Sequence, residues 1–490
     1  MKLNNLAQTK VGVVPRAARP ATILMRQYAL ASLLTFMMMV GQAQACGDDA
    51  SLALVLNARN AVSPDPAFSG PAIAALRKAG PSGLAALVQT HQGLFDQYSA
   101  NPAAARGEAA DPAWPRLRAA MDAVGRQRDC FASRLFWFTD LEQARAAAQA
   151  SGKPILSLRL LGNLDEELSC ANSRFFRTTL YANAEVSDYL RAHFILHWKS
   201  VRPVPKLTID FGDGRKLERT ITGNSIHYIL DPDGRIVDAL PGLYGAKPFL
   251  LGLQQAEEAA MSSFRMAEDH RNAALRQFHE DRFTALEADF GRDLLRVGAS
   301  PVPLARQNGA QLAPVSSSTT PANVAGRLTS SKALVEGPML RGGRRGAALD
   351  LRNPDVQLDD ATLEKIAALH PDAASLDEKS KGLLRAKGPN ALDAARLALS
   401  KRRVEDPMLR TFQNLERSIA EDTVRNEYLI HSRIHQWLAS GGITGNLEDF
   451  NARVYAELFL TPNSDPFLGL VTPATCSAIE NDGRVQAAAR

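Results

Sequence analysis

The stretch SGKPILSLRLL, residues 151–161, is an apolar run behind a Lys-Pro entry, which is typical of a central β-strand buried on both faces. Two further strand signals follow it along the chain. HFILHW, residues 193–198, is a second apolar segment, and IHYILDPDGRIVDAL, residues 226–240, reads as two strands joined by a turn. In that turn, residues 231–234, proline stands second and glycine fourth, which suits a type I turn. Gly212-Asp213-Gly214 marks a further hairpin turn, which is inserted before these last two strands. The sequence therefore predicts one compact α/β unit over residues 151–244.

A cysteine stands where a helix should follow the central strand. Cys170 and Ser173 lie in the segment CANS, which begins a helical pattern, and an alanine-rich helix over residues 140–154 precedes the strand. This order, together with the terminal hairpin, resembles the thioredoxin-like superfamily over residues 131–257. The resemblance implies an α/β thioredoxin-like central domain, with a mixed sheet and flanking helices, and no cofactor. Thioredoxins exchange disulfides through a Cys-x-x-Cys pair, whereas this chain has Cys-x-x-Ser.

The resemblance implies that Cys170 matches the catalytic nucleophile and that Ser173 replaces the resolving thiol. The positive end of a helix dipole favours a thiolate, and Arg174 and Arg177 fall on the same helical face and should favour it further. The acidic residues 165–167 act in the opposite direction. A monothiol of this kind can form a mixed disulfide, but it cannot release the product through a second cysteine of its own.

Three positions depart from the pattern of the family. Ser169 precedes the cysteine where an aromatic residue is usual, and Leu158 takes the place of the buried acid that moves protons. Ser225 takes the place of the cis-proline that lines the substrate groove. These departures weaken the expectation of thiol–disulfide chemistry.

Four cysteines, Cys46, Cys130, Cys170 and Cys476, allow three complete pairings, and the sequence does not choose between them. In the alternative to redox chemistry, Cys170 is a structural half-cystine, with Cys130 as a partner 40 residues earlier. Closing that loop would stabilise the fold by about 3–4 kcal/mol through the entropy of the unfolded chain.

Residues 1–45 have the pattern of a cleavable signal peptide. They contain five cations, no acidic residue and an apolar run over residues 28–40, and they end in Ala43-Gln44-Ala45 before Cys46. We therefore expect export to the periplasm or the extracellular space, with cleavage after Ala45. The apolar run is too short for a comfortable membrane span, so no transmembrane segment is expected in the mature chain. Met25 would give a more compact signal peptide than Met1 as the start.

The whole chain has 57 basic and 52 acidic residues, and removal of the five cations of the signal peptide makes the two numbers equal. A nearly neutral mature chain has no global basic field, so we expect no nucleic-acid partner. The run of Arg341, Arg344 and Arg345 lies among glycines and is interpreted as solvated linker. The expected partners are instead thiol-containing proteins of the cell envelope, and the sequence leaves the oligomeric state open.

Helical regions flank the central domain. Residues 71–91 predict a pair of short helices broken by the turn GPSG at residues 80–83, and residues 248–297 predict one long amphipathic helix. The predicted organisation is a signal peptide (1–45), a helical N-terminal region (46–130), the thioredoxin-like domain (131–260), a long helical extension (261–299), a flexible linker (300–349) and a helical C-terminal domain (350–490).

Glu427, His431 and His435 are spaced by four, so they share one face of a predicted C-terminal helix. Two histidines at this spacing can bind one metal ion, with the carboxylate as a third ligand. A polar helical face is the commoner explanation and no fourth ligand is evident, so no metal site is predicted. The histidines of the central domain, His193 and His197, and likewise His227, are expected to be core or edge residues.

Two functions of different classes follow from these patterns. The first is an exported thiol–disulfide enzyme or isomerase-like protein that uses Cys170 as a monothiol. The second is a non-catalytic exported binding or scaffold protein, in which a degenerate thioredoxin-like domain carries helical flanks and structural disulfides.

Overall fold

The structure, a computed structural model, describes residues 51–99, 111–220, 223–304, 360–387, 407–441 and 446–464. The signal peptide, most of the linker, Cys46, Cys476 and the three arginines at 341–345 lie outside these residues. The chain divides into two compact units. The first ends at Asn57, and its described residues, 51–57, are helical. The second spans Ala58–Arg490 and carries the sheet.

Five helices begin the second unit: α1 (Pro66–Lys78), α2 (Pro81–Thr90), α3 (Gln92–Ser99), α4 (Ala113–Gly125) and α5 (Cys130–Ser133). Helices α1 and α2 are the predicted pair, and the turn at Gly80 has a positive φ of 72° that suits glycine. Arg77 at the end of α1 donates to the carbonyl of Val124 at 2.9 Å and to that of Trp137 at 2.6 Å. These bonds join the helices to the start of the sheet.

The main sheet has five strands: β1 (Trp137–Phe138), β2 (Ile155–Leu161), β3 (Ile195–Arg202), β6 (Ser225–Leu230) and β7 (Ile236–Pro241). Their order is β1-β3-β2-β6-β7, in which β1, β3 and β2 are parallel and β6 and β7 are antiparallel to their neighbours. All seven residues of the central strand β2 are buried, as its apolar sequence predicts. A mixed α/β sheet is therefore confirmed.

Three helical segments connect the parallel strands. Helix α6 (Leu141–Ser151) precedes β2, and Asp140 caps it by accepting a hydrogen bond from the amide of Gln143. Helix α7 (Ala171–Phe175) follows β2 and continues as a π-helical turn over Phe176–Leu180. Helix α8 (Ala184–His193) then leads into β3.

Both predicted hairpins are present. The turn between β6 and β7 is closed by the amide of Gly234, which donates to the carbonyl of Asp231 at 2.9 Å. Gly234 has a φ of 84°, a conformation that favours glycine. The second hairpin, β4 (Lys206–Asp210) and β5 (Lys216–Thr220), forms a separate two-stranded sheet. Its first strand is exposed along its whole length.

The prediction of one long helix over residues 248–297 is wrong in one respect, because this region forms two helices. These are α9 (Ala246–Phe264) and α10 (Glu268–Arg296), which are separated by three residues. Arg271 stabilises the break by donating to the carbonyls of Ser263, Phe264 and Met266, which include carbonyls left free at the end of α9. No glycine or proline marks this break, so the apolar periodicity of the sequence runs through it.

The C-terminal part contains α11 (Asp360–Ala368), a 3-10 turn (Pro371–Ala373), α12 (Glu378–Lys387), α13 (Pro407–Arg425), a π-helical turn (Asn426–His431), α14 (Ser432–Ala439), α15 (Leu447–Arg453) and a last π-helical turn (Val454–Leu458). Apolar side chains of these elements belong to the same hydrophobic core as those of the main sheet. No described helix combines the length and apolar character needed to cross a membrane. The domain boundaries from the sequence stay predictions.

His227 makes the central core sensitive to acid. This residue of β6 is fully buried among aromatic rings, with Phe176 at 4.7 Å and Phe249 at 5.0 Å between ring centroids, and burial lowers its pKa from 6.5 to about 3. Below pH 6.5 the unfolded chain therefore takes up a proton that the folded chain does not. The stability from the neutral ring is complete above pH 6.5 and is lost as the pH falls towards 3.

We predict that His227→Phe reduces the loss of unfolding free energy between pH 7 and pH 4 by about 3 kcal/mol relative to the wild type. Urea denaturation at the two pH values measures this difference. The matched control is His270→Phe at an exposed position of α10, which should leave the pH dependence unchanged. Equal pH dependence in wild type and His227→Phe would show that the buried ring is protonated in the folded protein.

Candidate functional site

Among the described residues, two clusters contain side chains that could act as a nucleophile or bind a metal ion. One lies at the cysteine after β2, and the other lies around the C-terminal histidines. Cys170 lies directly before α7, nine residues after the end of β2. Its amide donates to the carbonyl of Leu161 at 3.2 Å, which ties the cysteine to the end of the strand. The predicted location at a strand-to-helix junction therefore agrees with the geometry.

The sulfur of Cys170 is enclosed. The residue has no exposed surface, and burial raises the pKa of its thiol even though hydrogen bonds from Ser173 and the charge of Arg174 act in the opposite direction. Arg177, the second predicted tuning residue, instead donates to the backbone carbonyls of Glu166 and Glu167. It therefore holds the loop before α7. The thiol form of Cys170 is favoured at neutral pH.

Ser173 faces this junction and is fully buried. Its hydroxyl donates to the carbonyl of Cys170 at 2.9 Å, and its Oγ lies within hydrogen-bond distance of Ser169 Oγ at 2.5 Å. Ser225, the first residue of β6, lies close by, because its Oγ accepts a hydrogen bond from Asn172 Nδ2 at 3.0 Å. Hydrogen bonds at this junction thus link Ser173 to Cys170, and Ser225 to Asn172 two residues after Cys170.

The chain covers this junction with its own C-terminal segment, Tyr455–Thr461. Asn224 donates to Thr461 Oγ1 at 2.9 Å, and its carbonyl accepts a hydrogen bond from the Tyr455 hydroxyl at 3.2 Å. Tyr455 is fully buried, and burial raises its pKa well above the ordinary value. No sequence pattern predicts this cover, because it joins residues more than 200 positions apart.

Cys130 is also buried and free. Its sulfur donates to the carbonyl of Leu135 at 3.5 Å, and burial followed by the charge of Asp122 raises the pKa of its thiol. The bridge between Cys130 and Cys170 that the sequence left open is therefore not formed. Pairing of Cys46 and Cys476 falls outside the described residues.

The second cluster lies between β7, α10 and the helical run that ends in α14. His431 and His435 are 1 % and 0 % exposed, so the interpretation of a polar helical face is wrong for these two residues. They meet Asp238 of β7 and His279 of α10, which are 2 % and 1 % exposed. The sequence analysis missed both of these residues, because they lie 193 and 156 positions from the histidines they contact.

Four distances define the cluster. His431 Nε2 lies 3.1 Å from Asp238 Oδ1, and His431 Nδ1 lies 3.2 Å from Glu427 Oε2. His435 Nδ1 lies 2.9 Å from His279 Nδ1 and 3.9 Å from Asp238 Oδ1. One ligand atom from each of Asp238, His431 and His435 lies within 4.8 Å of the other two. Glu427, the carboxylate that could have been a third ligand by its spacing, contacts the far side of His431 and so is not part of this group.

The charges of the cluster are strongly coupled. Burial disfavours a charged His431, but the carboxylates of Asp238 and Glu427 outweigh it and raise its pKa to about 10. Burial raises the pKa of Asp238, and His431 and His435 lower it by more. For His435, burial and the charge of His431 lower the pKa well below 6.5, and burial lowers the pKa of His279 to about 4. The cluster therefore holds one cationic and two neutral imidazoles near pH 7.

The remaining histidines of the central domain fit their predicted roles. His197 on β3 and His227 on β6 are core residues. His193 at the end of α8 is partly exposed, and its Nδ1 lies 2.9 Å from Glu257 Oε1. The glycine turn at residues 212–214 is the loop of the β4–β5 hairpin, as predicted.

Comparison of the chain with protein-family models, curated proteins and solved structures found no match.

Proposed function

We propose that the chain is an exported, non-catalytic binding or scaffold protein built on a thioredoxin-like domain that has lost thiol–disulfide exchange. The observation that carries the proposal is the enclosure of the Cys170 sulfur, which has no exposed surface. A disulfide substrate must reach the attacking thiolate, and this thiol is both inaccessible and disfavoured as a thiolate. Export is supported by the pattern of residues 1–45.

The strand order supports the thioredoxin-like assignment. Three parallel strands in the order β1-β3-β2 are followed by the antiparallel strands β6 and β7, and a helix begins directly after Cys170. The sequence resemblance implies this arrangement. The β4–β5 hairpin occupies the connection between β3 and β6. We regard the central unit as a divergent member, in which the catalytic junction has become part of the core.

The C-terminal segment Tyr455–Thr461 covers the junction at Cys170, and this supports a scaffold role. A thiol–disulfide enzyme must keep a groove beside its nucleophile free for substrate, whereas this chain fills the neighbouring position with Tyr455 and Thr461. Ser173 supplies no second thiol and its hydroxyl is already hydrogen-bonded. The proposed role is to hold a partner protein of the cell envelope without chemical change.

Thiol labelling of the native mature protein tests the proposal. We expect Cys170 to react at least about 10³-fold more slowly than an exposed thiol, because a buried group reacts only after an opening that costs several kcal/mol. The matched reference is Asn272→Cys at an exposed position of α10. Mass spectrometry after proteolysis assigns each label.

The same protein should not accelerate the reduction of a glutathionylated peptide above the rate in buffer. Rapid labelling of Cys170, together with a mixed disulfide that Cys170→Ser abolishes, would overturn the proposal. It would favour monothiol exchange through Cys170, the alternative function. The Cys170→Ala variant checks that any loss of the adduct does not depend on the serine hydroxyl.

Truncation of the covering side chain should expose the junction selectively. Tyr455→Ala removes a fully buried ring, which costs roughly 3–5 kcal/mol for a large aromatic side chain. We expect the labelling rate of Cys170 to rise more than that of Cys130. Tyr98→Ala opens the N-terminal helices beside Trp114. In this variant the labelling rate of Cys130 should instead rise more than that of Cys170. Equal acceleration of both thiols in both variants would mean that only global unfolding exposes them.

A further inference from the structure

The group formed by Asp238, His279, His431 and His435, the histidine cluster, has the donor set of a metal centre. Imidazole nitrogens together with a carboxylate oxygen suit Zn²⁺ and its neighbours in the first transition series, and the atoms that converge belong to His431, His435 and Asp238. Ca²⁺ and Mg²⁺ prefer oxygen ligands, so this donor set disfavours them. The four residues come from β7, α10 and the helical run 426–439.

Donor atoms of three residues lie close enough to converge on one ion. Metal–ligand bonds of about 2.0–2.1 Å place tetrahedral ligand atoms about 3.3–3.4 Å apart. His431 Nε2 lies 3.1 Å and His435 Nδ1 lies 3.9 Å from Asp238 Oδ1, and one ligand atom of each residue lies within 4.8 Å of the other two. Binding of one ion therefore requires these donor atoms to move into tetrahedral positions.

Outer contacts orient the imidazoles for ligation. His431 Nδ1 faces Glu427 Oε2 and Nε2 faces Asp238, so an ion that displaces the Nε2 proton leaves the Nδ1 proton in its contact with Glu427. The backbone carbonyl of Val237 interacts with His279, whose Nδ1 faces His435. A carboxylate or carbonyl that fixes the second ring nitrogen is the usual support of a metal-bound histidine. Asp238 is itself held by the amide of Ala239 at 2.8 Å.

The two ring nitrogens of His435 lack good hydrogen-bond partners. Nε2 is one of several enclosed side-chain atoms without a hydrogen bond among the described residues, and Nδ1 faces the Nδ1 of His279 at 2.9 Å. Two neutral imidazoles whose Nδ1 atoms face each other can share only one proton. A cation at His435 Nδ1 would use the lone pair of this nitrogen and would offset the carboxylate charge of Asp238.

We propose that Asp238, His431 and His435 bind one Zn²⁺-class divalent ion that joins β7 to the helical run 426–439, with His279 of α10 in contact with His435. The ligands are almost completely removed from solvent, so substrate has no access to the ion. The ion is therefore structural. Glu427 is a positioning residue that orients His431. The proposal does not depend on the loss of thiol chemistry at Cys170.

Cobalt binding during refolding of the full-length mature chain, without a tag, tests the site. The protein is unfolded in urea with a chelator and is refolded with or without Co²⁺, because an enclosed site must be filled as the chain folds. We expect one Co²⁺ per chain, an intense visible absorption band of tetrahedral Co²⁺, displacement by Zn²⁺ and a higher Tm in the loaded protein. The absence of stoichiometric uptake by the refolded wild type would overturn the proposal.

Variants locate the bound ion. His435→Gln and Asp238→Asn should each weaken Co²⁺ binding at least about 100-fold, and Glu427→Gln about 10- to 100-fold. The matched control His197→Gln changes a buried histidine outside the cluster and should bind like the wild type. If the ligand variants fail to fold, Glu427→Gln decides the test, since Glu427 is 24 % exposed. Wild-type affinity in Glu427→Gln, or sulfur-to-cobalt charge-transfer bands, would place the ion elsewhere and overturn the proposal.

Discussion

Two charged side chains of the sheet depend on the C-terminal helices for their opposite charges. Arg159 on the central strand β2 and Asp238 on the edge strand β7 are 0 % and 2 % exposed. Arg159 Nη2 donates to Glu448 Oε1 at 3.0 Å, and Asp238 Oδ1 lies 3.1 Å from His431 Nε2. A buried charge without its partner costs several kcal/mol, so contact with these helices stabilises the sheet. The charges thus explain why sheet and helices share one core.

The same association accounts for the state of Cys170. The segment after α15 lies beside the junction through Tyr455 and Thr461, and the hydroxyl of Thr220 donates to the carbonyl of Ser169 at 3.2 Å from the other side. A helix N-terminus favours a thiolate, but that electrostatic gain is smaller than the loss of hydration in a closed site. Burial therefore determines the protonation of the thiol. The proposed loss of exchange chemistry follows, because burial disfavours the thiolate more than the helix dipole favours it.

The histidine cluster and the cysteine junction differ in what burial does to them. At Cys170 burial suppresses the reactive form of one group. In the histidine cluster, donor atoms from three separate elements converge, and burial excludes the water that would compete for an ion. Neutral imidazoles at His279 and His435 retain the lone pairs that ligation requires. One kind of environment thus disfavours a nucleophile and favours a structural metal ion.

The sequence by itself determined the local structure: the fully buried strand β2, both hairpins, the cysteine at the start of α7 and the helical flanks. Each depends on residues close together in the chain, where periodicity, proline and glycine act directly on the backbone. The tertiary structure decided the rest: the enclosure of Cys170, the break before α10 and the addition of Asp238 and His279 to the two histidines of the C-terminal run. These features depend on contacts across 150 residues or more, or on a hydrogen-bonding side chain such as Arg271. Side-chain spacing carries no information about such contacts, because the packing free energy of the whole core selects them.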